Sequence, residues 1–278
     1  VSFSQETTKV PLALSGMESY QVQVTYDKTT HLIFPSAIRY VDLGSEYLIA
    51  TKAEDAENVL RIKAAVQDFE PETNFSVITD DGRFYSFDTY YTLCPASLSY
   101  NLLALQKGVD KEAAAEVLFK ELGNNSPSLI NLIMETIYKK NKRLVKHIGT
   151  KSFGIQFNLK GTYWHNGKYF FHTELANRMN VPFSMDYITF KVVDKQIAKR
   201  TVIQERPMVP LRSYKPLDEI GGKAIDQNVF LLDQFTLADD KVLVISIFEK
   251  NGGRHQTLQL ENADLIQARL ISDLHLKF

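Results

Sequence analysis

A single cysteine, Cys94, stands in 278 residues, so neither an intramolecular disulfide nor a cysteine-based metal cage can form. That absence leaves the compartment open, because exported bacterial proteins often lack disulfides too. No apolar run approaches the ~20 residues that a membrane-spanning helix needs. Neither charge is in excess: 32 Lys and Arg against 33 Asp and Glu leave a formal net charge of −1, which argues against a general nucleic-acid binder. Lys139, Lys140, Lys142, Arg143 and Lys146 do cluster, but they follow a helical segment and read as its solvated C-terminus, complementing the helix dipole. The motifs of phosphate and acyl chemistry are missing as well: there is no GxxxxGK[ST], no strand–GxGxxG–helix unit and no GxSxG elbow. Cys94, just before Pro95 and with no histidine nearby in sequence, reads as a buried structural thiol rather than a nucleophile.

What the chain does have is strand periodicity. Asn74 to Tyr91 forms two alternating runs folded back at Asp80-Asp81-Gly82. A two-residue loop would set Phe75 and Val77 against Ser86 and Asp88. A three-residue loop pairs Phe75 with Phe87 and Val77 with Tyr85, gathers the large apolar side chains on one face, and gives Gly82 the left-handed position such loops require. The three-residue loop is expected. Short strands also read at Gln21–Thr25, His31–Phe34, Arg39–Asp42, Glu46–Thr51 and Val59–Val66, at the turn spacing of an all-β sandwich.

Composition shifts after Pro95. Asp110–Leu122 is rich in helix formers with Gly123 as its C-cap, and Ser126-Pro127 restarts a helix with a capping residue followed by proline at the first position. Leu129, Ile130, Ile133, Met134 and Ile137 belong to an apolar surface covering much of that second helix, which must be buried on more than one side. Two readings stand: packing between two domains, or a subunit interface. Strands return at Gly154–Thr162, Tyr169–Thr173, Ile188–Val193, Ala198–Gln204, Asn228–Leu232, Val242–Phe248 and His255–Leu260, with a short helix at Ala263–Ile271. The pattern predicts a mainly β fold of two β-sandwich-like domains joined by a short α-helical segment. Its parts are an N-terminal arm at 1–20, a β domain at 21–95, a helical connector at 96–150 and a second β domain at 151–278. The start at Val1, with the polar run Ser4–Lys9 soon after, reads as a chain from which a leading segment has been removed, a signal peptide being one candidate.

Candidate chemistry is thin. His165 and His172 flank Asn166-Gly167, a strong hairpin signal. With a two-residue loop His165 opposes Lys168 and lies roughly 13 Å from His172, too far to share a zinc ion; with a three-residue loop His165 lies in the turn itself, and neither register makes a metal site. Asp80-Asp81 and Asp239-Asp240 sit at turns, where Asp is favoured for local hydrogen bonds. Trp164 with Tyr163, Tyr169, Phe170 and Phe171 offers either a sugar-binding face or, more in keeping with paired strands, an aromatic core. No catalytic residue, cofactor or metal is expected.

Several long strings resemble the conjugative-transposon protein TraN family over nearly the whole chain. They are Leu32–Gly44 (LIFPSAIRYVDLG), Lys168–Thr173 (KYFFHT), Asn180–Phe183 (NVPF) with Asp186, and Glu249–Gln256 (EKNGGRHQ). Thr73–Tyr85 and Arg39–Asp42 look like a hairpin region of CagX-like subunits of type IV secretion outer-membrane complexes, although the helical stretch at 96–150 departs from the plain linker of those proteins. The resemblance implies a non-enzymatic, exported structural component of a conjugative DNA-transfer apparatus, periplasmic and associated with the outer membrane. It implies other transfer proteins as partners and a homo-oligomeric ring. The speculative partner surface is the helix face of Leu129, Ile130, Ile133, Met134 and Ile137. The alternative is a secreted β-sandwich module binding a ligand such as a glycan.

Overall fold

Alternating apolar residues build the first half of the chain into two facing sheets. The computed structural model describes residues 17–70, 72–103, 117–195 and 205–274. It is mainly β and divides into two units, Val1–Val117 and Leu118–Phe278. The strands of the first unit are β1 (Tyr20–Val24), β2 (Thr30–Ile33), β3 (Ile38–Leu43), β4 (Leu48–Ala53), β5 (Ala56–Ala64), β6 (Thr73–Thr79), β7 (Phe84–Tyr91) and β8 (Ser99–Asn101). One four-stranded sheet runs β1-β7-β6-β3 and the other β4-β5-β2-β8. Val22, Val24, Phe75, Val77 and Phe87 from the first sheet meet Leu32, Leu60 and Ile62 from the second in one buried cluster.

The β6–β7 hairpin has the expected three-residue loop, with Phe75 opposite Phe87 and Val77 opposite Tyr85. Phe75 and Phe87 stack at 4.5 Å, and Phe34, arriving beside β2, meets Tyr85 edge-on at 5.1 Å. Gly82 has φ 83, a left-handed value that a side chain would oppose. Its amide donates to Thr79 O at 2.9 Å.

The second unit is a thicker sandwich. Its strands are β9 (Gly149–Ser152), β10 (Ile155–His165), β11 (Lys168–Asn177), β12 (Phe183–Asp194), β13 (Arg206–Met208), β14 (Arg212–Ser213), β15 (Glu219–Ile220), β16 (Ile225–Asp233), β17 (Lys241–Glu249), β18 (Gln256–Leu260) and β19 (Arg269–Leu270). A six-stranded sheet runs β14-β16-β11-β10-β19 with β9 also on β10. A five-stranded sheet runs β13-β12-β17-β18 with β15 also on β12. Between them lie Phe157, Phe171, Leu175, Phe230 and Leu232 from the first sheet and Phe190, Leu243, Ile245 and Leu258 from the second. β17 is central and buried along most of its length, as its apolar residues of both parities predict.

Parity explains the other face of the six-stranded sheet. Phe170, His172, Val229 and Leu231 alternate with the sandwich residues and are also buried, so something must cover them. The cover is α1 (Pro127–Lys140), which packs on β11 and β16. Its start is set by Ser126, whose side chain accepts from Leu129 N, with proline at the first position. It ends at Asn141 in the left-handed conformation. A bulge at Lys160 in β10 shifts the register against β11, flipping side-chain parity so that Tyr163 pairs with Phe170 on the helix side.

These placements correct several expectations. The units divide at Val117/Leu118, so α1 belongs to the second sandwich, while β8 belongs to the first. The stretch 96–150 is therefore not a free-standing connector. Of the proposed partner surface, Ile130, Ile133, Met134 and Ile137 are at most 1 % exposed; with Leu129 half-buried, that face is core of its own unit, because the sheet beneath already occupies it. Of the Asp110–Leu122 helix, 110–116 lies outside the described residues, and the described end holds a 3-10 turn at Lys120–Leu122. The Ala198–Gln204 strand and most of the 1–20 arm are also outside them. Ala263–Ile271 is helical only at α2 (Asn262–Ile266), because the chain then pairs with β10 as β19. Cys94 is exposed rather than buried.

Candidate docking end of the second unit

Beneath α1 the sheet carries a buried polar layer. Lys160 Nζ donates to Glu174 Oε2 at 2.9 Å and to Asn141 Oδ1 at the helix C-cap. The bulged Lys160 carbonyl accepts from Leu144 N at 2.7 Å and Val145 N at 2.9 Å. Burial pushes the Glu174 carboxyl up, but the bond and charge of Lys160, with Asn158 and Arg143, outweigh it and hold the group below its usual range. His172 is fully buried, its Nε2 lying 3.0 Å from Gln227 Oε1. Burial holds its pKa down at about 4, so the ring is neutral at neutral pH. The amide oxygen as acceptor places the proton on Nε2 and leaves Nδ1 unpartnered. Gln227 Nε2 in turn reaches Tyr138 O of α1 at 3.4 Å. The layer pins the last turn of the helix to the sheet.

The other sequence candidates are dispersed. The Asn166-Gly167 loop has two residues, and His165 pairs with Lys168, leaving His172 far along β11. Burial lowers the His165 pKa. Asp80 lies 3.6 Å from Arg39 and Asp81 lies 3.5 Å from Arg83. Among the described residues no three His, Cys, Asp or Glu side chains converge as metal ligands. Tyr163, Phe170 and Phe171 are buried, and Trp164 pairs with half-buried Tyr169, so this group is an aromatic core and not an open platform. A cavity between the sheets at Phe157, Leu175, Met185 and Phe230 holds ≈ 20 Å³, room for about one water.

A different character marks the end of the sandwich where β9 turns into β10. Four chain segments meet there, and two polar side chains, Asn177 and Arg254, hold them. Asn177, fully buried, donates from Nδ2 to Val181 O at 2.8 Å and Gly221 O at 3.2 Å, and its Oδ1 accepts from Met179 N at 3.0 Å. Its backbone amide donates to Ala224 O at 2.9 Å. Arg254 donates from Nη2 to Pro182 O at 2.6 Å and from Nε to Glu249 Oε1 at 2.9 Å, with its guanidinium 5.5 Å from the Phe183 ring centre. The bond from Arg254 is the main reason the Glu249 carboxyl titrates below its usual range. Thus Asn180–Phe183 and Glu249–Gln256, far apart in sequence, are joined through one side chain.

On this braced base sits an apolar tip. Phe153 and Gly154 form the two-residue loop between Ser152 and Ile155, with φ 49 and φ 70. Both values are left-handed, as in a type I′ turn. At Gly154 a Cβ would lie 2.4 Å from Met179 Cγ, so the left-handed backbone favours glycine and a side chain there would displace Met179. Arg178 N donates to Gly154 O at 2.8 Å, and Gln256 Nε2 donates to Ser152 Oγ at 2.8 Å. Phe153 is 66 % exposed, Val181 58 %, Ile225 57 % and Met179 38 %. Lys151, Arg178 and Lys223 stand exposed around them. Sequence reasoning missed Phe153, because a bulky residue at the first left-handed position of such a turn lacks the Asn-Gly signature; the following Gly154 was the available signal.

A family model described as a domain of unknown function, DUF4138, matches residues 127–270, more than half of the chain. The chain belongs to the DUF4138 family. The DUF4138 match begins at the first residue of α1 and ends at the last of β19, so it takes in the buried polar layer and the docking end. A second model, the domain of unknown function DUF8473, matches residues 22–95 in the first sandwich. No curated protein matches the chain. Among solved structures, the DUF4138 chain is similar to the CupB2 chaperone of Pseudomonas aeruginosa at 8 % identity and a TM-score of 0.18, over 88 % of this chain and 98 % of that one.

Proposed function

We propose that this DUF4138 protein is a non-enzymatic structural component of a conjugative DNA-transfer apparatus in the cell envelope, of the TraN kind that its sequence strings resemble. The observation that supports this most is the docking end. Two of the four strings that carry the resemblance, Asn180–Phe183 and Glu249–Gln256, converge there through Arg254. Loops braced by buried Asn177 and presenting exposed apolar residues on a rigid sandwich are the usual means by which a scaffold holds an interaction surface. Partners are other transfer proteins, and edge strands such as β3 and β4 offer a second route to assembly by strand pairing. The test is to tag the protein in a conjugating donor, fractionate the cells and identify what accompanies it. Envelope transfer proteins should co-purify; a cytosolic protein that retrieves none of them overturns the reading.

A further inference from the structure

We propose that the docking end seats its tip in the headgroup region of an anionic lipid bilayer. The proposal names what that end meets; it rests on reading the end as a docking surface, and not on which apparatus the protein serves. Phe153 carries it. The residue occupies a left-handed backbone position, φ 49, that bulky side chains avoid, and it is 66 % exposed. It is therefore disfavoured by conformation and by hydration at once. Such an outlier points to something outside the fold.

The form of the surface selects the occupant. Phe153 stands at the extremity of a hairpin, with Val181 and Met179 exposed on the adjoining loop, so the apolar groups project from turns and suit insertion into a soft interface. The exposed charges nearest them, Lys151, Arg178 and Lys223, are cations. Of the acids at this end, Glu249 is paired with Arg254 and Asp226 with Lys215, whereas Glu219 and Asp218, on and beside β15, accept only from Ser184 Oγ at 2.8 Å and Glu219 N at 2.7 Å and keep their charge. Asp186 is exposed on β12. An apolar tip ringed by Lys and Arg is complementary to acidic headgroups over an apolar layer.

The chain of residues 1–278 is to be sedimented with vesicles of phosphatidylcholine alone and with phosphatidylglycerol added. Binding is expected to the anionic vesicles and to fade with salt. Phe153→Asn places a residue suited to the left-handed position and should melt no lower than the unaltered chain, yet bind anionic vesicles about tenfold more weakly, the loss of one buried aromatic side chain. The double change Lys151→Gln with Arg178→Gln should abolish the preference for anionic over neutral vesicles. Absence of vesicle binding by the unaltered chain overturns the proposal, as does a Phe153→Asn chain that binds undiminished. If Phe153→Asn instead releases a transfer protein in donor pull-downs while no vesicle binding exists, the tip meets protein; the bilayer inference falls and the proposed function stands.

Discussion

His172 shows how one buried ring ties stability to pH. The folded protein binds its proton at about pH 4, against an ordinary value of 6.5. Between those values the unfolded chain holds more protons, so stability is complete above pH 6.5 and falls as the pH drops toward 4. The groups facing the ring are Gln227 on β16, Glu174 on β11 and Lys160 on β10, and burial outweighs the favourable effect of Gln227 and Glu174. The loss across the window should be roughly 3 kcal/mol at most. Denaturant titrations of the unaltered chain and His172→Gln at pH 7 and pH 4.5 test this: the substituted chain should lose markedly less on acidification. Glu174, with its carboxyl held below the ordinary range, adds a loss in the same direction at lower pH. Equal acid sensitivity in both chains would assign the effect elsewhere.

At the scale of elements, α1 decides between core and interface. Ile133 is fully buried against the sheet of its own unit while Leu129 is half-buried at the margin. Ile133→Ala should cost about 2–4 kcal/mol of unfolding free energy, and Leu129→Ala much less, neither changing the mass of the particle in solution. A change in oligomeric state without loss of stability would restore the interface reading. The same helix shows what was legible beforehand. Ser126-Pro127 and the width of the apolar surface announced a helix covered on more than one side; which neighbours cover it depends on parity in β11 and β16, over a hundred residues away at the farthest. The β6–β7 register was readable because the two loop lengths put different side chains face to face and only one gathers Phe75, Val77, Tyr85 and Phe87. The bulge at Lys160 was not, since it is fixed by pairing with β11 and by the amides of Leu144 and Val145 that its carbonyl accepts. The docking end was legible only as separate strings. Nothing local in Pro182 or Arg254 announces their hydrogen bond, and Phe153 breaks the turn preference that would have marked it.

At the scale of the whole molecule, the division of the chain follows from which apolar faces each segment covers. The first unit closes its own cluster around Phe34, Phe75 and Phe87. The second has two buried layers: one between its sheets, the other between the six-stranded sheet and α1, where Phe170, Val229 and Leu231 lie. A boundary at 151, where strand periodicity resumes in the sequence, removes α1 and lays that second layer bare together with the Lys160–Glu174 pair, which loses Asn141. Contiguous apolar surface of this kind drives association. Residues 118–278 produced alone should therefore stay soluble and unfold in one cooperative transition, whereas residues 151–278 should aggregate or bind a hydrophobic dye strongly. If 151–278 folds as well as 118–278, α1 is an accessory of the second sandwich. If 118–278 is unfolded alone, the second sandwich needs residues that precede Leu118.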